Sequence, residues 1–197
     1  GSGLGGEVVS FAPVDITWAG WVGDQDPDFS GLRAALDNMF HSSQMGYVSF
    51  GSDIGGYRED ASLPLGRDKE SFIRWAQLGA FSPIMENGGG GEHRPWMFDE
   101  QTLSIYRVFA DLHQALIPYF MEQGAIAFDE GRSLMEFEDA EAYRYQLGSD
   151  IFVAPMLESG VYQQVVFPEG QWRYLFDQQK VYTGGESVTL TVPLEAF

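Results

Sequence analysis

Cysteine is absent from the 197 residues. Disulfides, thiolate nucleophiles and cysteine metal sites are thereby excluded, while the redox compartment stays open. Basic residues are scarce: 11 Lys and Arg stand against 29 Asp and Glu, a formal net charge of −18. Such a chain repels nucleic acid and anionic membrane, so neither is an expected partner. No apolar run approaches the roughly 20 residues that span a bilayer as a helix. The opening Gly1-Ser-Gly-Leu-Gly-Gly6 lacks the basic start and apolar stretch of a signal peptide. No His-x-x-x-His pair, Gly-x-Ser-x-Gly elbow or strand-borne phosphate loop occurs, which argues against a metal site, a serine triad and nucleotide binding.

Hydrophobic residues make up 44% of the chain and aromatics 15%, enough for a folded core. Rings in that number suit stacking on sugar faces, and they suit an ordinary core equally well. The most informative pattern is a repeated unit. Trp21-Val-Gly-Asp24 and Tyr47-Val-Ser-Phe-Gly-Ser-Asp53-Ile-Gly-Gly-Tyr57 are each a short apolar run ending in an acid beside glycine. Asp53 follows Asp24 by 29 residues (53 − 24). Between them, apolar residues at 32, 35, 36, 39 and 40 have helical spacing. Strand, carboxylate, helix, strand, carboxylate is how a (β/α)₈ barrel brings acids to its C-terminal mouth.

The same reading predicts strands over 14–22 and 46–51, a helix over 30–41 and a polar loop over 57–67. A second helix should start at Asp68 as N-cap, with Phe72, Trp75, Ala76 and Gly79 on one face. A third strand, 81–87, runs into the loop Gly88–Gly91. Asp99 opens a long helix expected to break near Pro118, and a shorter helix is expected over 139–147. From about 149 short alternating strands separated by Pro168-Glu-Gly and Thr183-Gly-Gly turns read as an all-β module. The expected fold is thus α/β over 1–148 and a β-sandwich over 149–197.

Asp24, Asp53, Glu86, Asn87, His93 and Arg94 are the polar residues at three successive strand ends. Each has a plain structural alternative: a helix cap or Asx turn for Asp24, a backbone-bonded acid for Asp53, solvated loop for the rest. His41 and His113 fall within helical patterns and read as structural.

On these residues the chain resembles glycoside hydrolase family 31, the retaining α-glycosidases. The likeness runs through Trp21-Val-Gly-Asp24, Gly51-Ser-Asp-Ile-Gly-Gly-Tyr57, Arg94-Pro-Trp96, Leu116-Ile-Pro-Tyr119, Leu147-Gly-Ser-Asp-Ile-Phe-Val-Ala-Pro155 and Phe167-Pro-Glu-Gly-Gln-Trp172. The resemblance implies the last strands and helices of a TIM barrel followed by its β-sandwich. It implies Asp24 as general acid/base, with Trp21, Asp53, Tyr57 and Asn87 at the sugar-binding subsite, and no cofactor or metal. It also implies an α-linked oligosaccharide or glycoside as the partner, α-glucosidase-like first. Galactoside, xyloside or sulfoquinovoside specificity and a non-catalytic carbohydrate-binding remnant are the alternatives. Two departures accompany it. The family's nucleophilic aspartate is expected before residue 1, so this chain alone should be inactive and should pair with the missing barrel half or with itself. Asn87 and Gly88–Gly91 stand where many members carry a sugar-binding histidine.

Overall fold

A computed structural model of the chain describes residues 12–17, 19–138 and 143–197. Within them β1 (Gly20–Trp21) and β2 (Phe50–Gly51) pair in parallel, with Gly20 opposite Phe50 and Trp21 opposite Gly51. Parallel neighbours need a crossover, and α1 (Phe29–Gln44) supplies it. Asp28 starts that helix by accepting the Gly31 N–H (2.9 Å). Its Leu32, Ala35, Leu36 and Met39 are buried in the core, as the spacing predicts.

The first strand is shorter than the expected 14–22, of which Trp18 lies outside the described residues. Residues 14–16 form a turn instead, because the Pro13 carbonyl accepts both the Ile16 N–H (3.2 Å) and the Thr17 hydroxyl (2.9 Å). The third strand, expected over 81–87, is reduced to one parallel bridge between Asp53 and Glu86 and an Ile54 N–H donated to the Glu86 carbonyl (3.1 Å). Two facts limit it. Ser82 still closes α2 through the Gly79 carbonyl, and Pro83 has no N–H for a ladder. What remains is enough to set three parallel strand ends side by side, in the order β1, β2, Glu86 segment.

α2 (Lys69–Ala80) begins where expected, with Asp68 accepting the Ser71 N–H at 2.8 Å. Every residue from Ser71 to Ala80 is buried, so α2 is covered on all sides rather than along one stripe. α3 (Glu100–Asp129) packs against it, after a single 3₁₀ turn at Pro95–Met97. Phe72 of α2 stacks on Phe98 with centroids 4.7 Å apart. The expected break near Pro118 does not occur; α3 continues through it. Gln114 and Pro118 both lie on the solvent face, where water satisfies the carbonyl that proline leaves without a donor.

An antiparallel meander follows, β3 (Met135–Phe137), β4 (Tyr145–Leu147) and β5 (Ile151–Val153). The expected helix over 139–147 is therefore wrong at its C-terminal end; residues 139–142 lie outside the described set. Tyr145 and Leu147 are fully buried with Gln146 between them, a period of two that overrides the weak helical spacing. Two hairpin-like pairs complete the chain: β6 (Tyr162–Val166) with the last strand, and β7 (Gln171–Arg173) with β8 (Val181–Thr183). That last strand is β9 (Ser187–Thr191). Phe167 and Tyr182 stack between the pairs at 4.9 Å.

Arg74 joins the two parts. Fully buried on α2, it donates to the carbonyls of Val192 (2.9 Å), Ala196 (2.9 Å) and Gly160 (3.2 Å).

Candidate active site

The parallel register fixes what emerges at the strand ends. Trp21 sits opposite Gly51, so the chain beyond each strand brings Asp24 and Asp53 together at one mouth. Asp53 is the centre of the arrangement and is 5% exposed. The Trp21 indole N–H donates to its Oδ1 (2.8 Å), and the Asp24 backbone N–H donates to its Oδ2 (3.2 Å). A buried carboxyl group with both oxygens engaged by donors has its acceptors satisfied.

Two local features make those contacts possible. A Cβ at Gly23 would lie 1.9 Å from the Trp21 ring and 2.3 Å from Asp53 Oδ2, so only glycine allows the indole to fold back onto the aspartate. Asp24 itself has φ +72°, the left-handed region that a side-chain-bearing residue enters at a cost of about 1–3 kcal/mol. Such a backbone persists where the surroundings demand it, and here it aims the N–H at Asp53.

Trp21 and Tyr57 meet edge to face, centroids 6.1 Å apart, and both remain about half exposed. They wall a hollow of about 300 Å³ together with Asp53, Glu86, Asn87, Gly88 and Gly89. Four of the five predicted site residues line it: Trp21, Asp53, Tyr57 and Asn87. Asp24 does not; it is half-buried and reaches the group through its backbone N–H on Asp53.

Asn87 turns its amide nitrogen away from the hollow's aromatic wall, donating to the His93 carbonyl (2.9 Å) and the Tyr106 hydroxyl (3.1 Å). Its visible work is to brace the glycine loop. That loop is close-fitting: a Cβ at Gly89 would sit 2.3 Å from the Tyr57 carbonyl, and the Gly90 N–H donates to the same oxygen (2.7 Å).

Sequence reasoning missed Arg67, hidden in what reads as a polar loop. It is 3% exposed. Its guanidinium donates to the carbonyls of Gly55, Gly56 (2.8 Å) and Gly90 and faces His93 Nδ1 (3.3 Å). Burial pulls its pKa down to about 10, against the opposing pull of Glu59 and Glu92. His93 sits between that cation and the Gly56 carbonyl, to which Nε2–H donates (3.1 Å), so Nδ1 is the acceptor. Burial first, and the Arg67 charge second, hold His93 below its ordinary pKa and keep it neutral. No periodicity or motif marks an arginine that closes a loop on itself, and only its position just before the Asp68 cap hinted at order.

Glu86, read from sequence only as one member of a polar cluster, proves to be a wall of the hollow. Its pKa is raised, by burial and then by the charge of Asp53. Among the described residues no group of three or more His, Cys, Asp or Glu side chains is placed to hold a metal ion.

Parallel strand ends presenting carboxylates to an aromatic-walled hollow, with crossover helices outside, define part of a TIM-barrel enzyme mouth. The comparisons with known proteins carry that class to a family. The family 31 glycosyl hydrolase TIM-barrel domain matches residues 10–123, and the family's C-terminal domain matches residues 132–197. The chain belongs to glycosyl hydrolase family 31. A 1,3-alpha-isomaltosidase of Kribbella flavida is 29% identical over 93% of this chain and 29% of its own length. A sulfoquinovosidase of Escherichia coli is 31% identical over 88% of this chain and 28% of its own. A family 31 alpha-xylosidase from a soil metagenome, solved with xylose, superposes with TM-score 0.77 at 29% identity, over 90% of this chain and 31% of that one. The chain therefore spans less than a third of the relatives' length.

Proposed function

We propose that the chain carries the acid/base side of the active site of a retaining α-glycosidase that releases terminal α-linked sugars, with α-glucosides first among them. The observation that carries the reading is Asp53, held at both oxygens by Trp21 and by the backbone of Asp24 at the rim of the aromatic hollow. Rings such as Trp21 and Tyr57 bind the apolar face of a sugar, and fixed acids bind its hydroxyls.

In this reading Asp24 donates a proton to the departing glycosidic oxygen. It then takes one from the water that resolves the glycosyl-enzyme intermediate. Asp53 is a positioning group that holds Trp21 and the Asp24 backbone. Trp21, Tyr57 and Asn87 shape the subsite for the reacting sugar. The nucleophile belongs to a stretch of the parent protein beyond residues 1–197, about 5–5.5 Å from the acid/base as retention requires. By itself the chain is inactive on this account, and the rest of the barrel is its natural partner.

Asp24→Asn in the intact enzyme tests the assignment. Turnover of an unactivated α-glycoside should fall by about 10²–10⁴-fold, with a smaller loss for a nitrophenyl leaving group. Azide should restore the rate on the activated substrate by replacing the missing base. An unchanged rate removes Asp24 from the mechanism.

A further inference from the structure

Arg67 grips backbone from two strand ends at once. One terminal nitrogen donates to the carbonyls of Gly55 and Gly56 (2.8 Å) in the turn after β2. The other donates to the Gly90 carbonyl of the glycine loop and faces His93 Nδ1 (3.3 Å). Hydrogen bonds from a cation are stronger than neutral ones, and this cation is buried. All these partners belong to residues 55–93 of this chain, whatever the rest of the barrel adds around the hollow. The base from which the side chain reaches is also fixed, because the next residue, Asp68, caps α2. Gly91 (φ +70°) lets the loop close onto it: a Cβ there would lie 3.1 Å from the Leu65 carbonyl and 3.3 Å from the guanidinium. The Glu92 N–H donates to that same Leu65 oxygen (2.9 Å).

Tyr57 lies inside the resulting circuit. The carbonyl that precedes it, on Gly56, accepts from Arg67 and from His93 Nε2–H (3.1 Å). Its own carbonyl accepts the Gly90 N–H (2.7 Å), and the Gly90 carbonyl returns to Arg67. Peptide groups on both sides of the Tyr57 Cα are thereby held. The direction in which the side chain leaves the backbone is set with them. The phenol ring that leaves there meets Trp21 edge to face, centroids 6.1 Å apart, and lines the hollow.

From this closed circuit of contacts we infer that Arg67 is a positioning residue for the subsite: it locks the glycine loop onto the turn after β2 and so fixes where Tyr57 meets the sugar. That role rests on the reading of the hollow as the subsite for the reacting sugar.

The test uses the intact enzyme with Arg67→Lys, Tyr57→Ala and the double variant. Lysine keeps the charge, but one nitrogen cannot serve Gly56 and Gly90 together. In Arg67→Lys, amide hydrogen exchange should quicken over residues 55–58 and 88–92 and stay at the wild-type rate in α3. Its kcat/KM on nitrophenyl α-glucoside should fall by about 10–100-fold, the scale of a small misplacement of a binding group. Tyr57→Ala should lose at least as much. Adding Arg67→Lys to Tyr57→Ala should then cost less than about twofold more, because effects that run through one residue do not add. Gly89→Ala opens the same circuit without touching Arg67, since its methyl would lie 2.3 Å from the Tyr57 carbonyl, and it should be equally non-additive with Tyr57→Ala. A role confined to folding would quicken exchange throughout and multiply with Tyr57→Ala. That result, or unchanged exchange over 55–58 and 88–92, overturns the inference. Full activity of Tyr57→Ala beside the expected exchange pattern would instead sink the reading of the hollow as the subsite, and with it any part for Arg67 in turnover.

Discussion

Replacing Arg74 with methionine should cost the intact protein about 3–5 kcal/mol of stability, the range for breaking a buried charged contact. The number follows from five acceptors around one guanidinium: Val192 O and Ala196 O at 2.9 Å, Gln77 Oε1 at 3.0 Å, Gly160 O at 3.2 Å and Pro193 O at 3.4 Å. The three shortest, at about 1.5–3 kcal/mol for a hydrogen bond to a charged group, amount to roughly 4–9 kcal/mol gross. Against this stands the desolvation of a side chain that is 0% exposed. Its sign is visible in the pKa, which burial lowers against the opposing effect of Glu70. Methionine keeps most of the volume and none of the donors. It takes the arginine donors from the carbonyls of Val192, Ala196 and Gly160, while the Pro193 carbonyl keeps the Ala196 N–H (3.0 Å). Lysine keeps the charge, but one nitrogen cannot face Gly160 on one side and Ala196 on the other, so it should recover only part of the loss. Chemical denaturation with limited proteolysis is the assay: the variant should unfold earlier and be cut first beyond residue 154. A loss below about 1 kcal/mol would refute the claim that this arginine holds the barrel part and the β module together.

Two further substitutions probe the site. Gly23→Ala places a methyl where the Trp21 ring lies, 1.9 Å from its nearest atom, so the indole must leave Asp53. It should cut kcat/KM at least tenfold with a stability loss of about 1–3 kcal/mol, and retained activity with a normal Trp21 fluorescence spectrum would contradict the geometry. The second concerns pH. His93 has its folded pKa held below 6.5, so its neutral form is the one the fold prefers. Its contribution is complete above about 6.5 and is lost as pH falls from there through the lower folded value. Wild type should therefore lose more melting temperature between pH 7.5 and pH 5 than His93→Gln does. His113 is shifted in the same direction, so the difference between the two proteins, not the wild-type slope, is the informative quantity. Equal slopes would mean that His93 is not held neutral.

The pattern of short apolar runs ending in Gly-flanked acids was legible because a parallel strand and its crossover helix leave periodic traces. Residues 32, 35, 36 and 39 turn out buried, and Asp68 and Asp99 both cap helices through their side chains. What escaped was set by contacts far apart in the chain. Tyr145 belongs to a strand because its ring fills the core and its hydroxyl donates to the Phe81 carbonyl 64 residues earlier (2.9 Å). The third barrel strand shrank to a bridge because Pro83 removes a donor, a local signal that the apolar run around it obscured. Arg67 was invisible as a site residue, and Glu86 was legible only as one of a polar cluster, for a related reason: neither repeats, and the partners that define them arrive from other parts of the chain.

Those distant contacts also explain why the hollow has the wall it has. Consecutive residues of α2 face in different directions, and here they face different neighbours. Arg74 reaches the carbonyls of the last strand and its tail, while the Trp75 indole donates to Ser52 Oγ (2.9 Å), the residue before Asp53. The segment leaving α2 is then caught by Tyr145 at Phe81, and ends at Glu86 and Asn87. One helix thus fixes Asp53 from behind and launches Glu86 from its end, and the C-terminal domain holds that helix in place. The two acids stand side by side through the bridge between them, and α2 with its C-terminal contacts backs that bridge. Among the described residues that line the hollow none comes from the β module, whose link to it runs through Arg74 and the next residue of α2, Trp75, to Ser52.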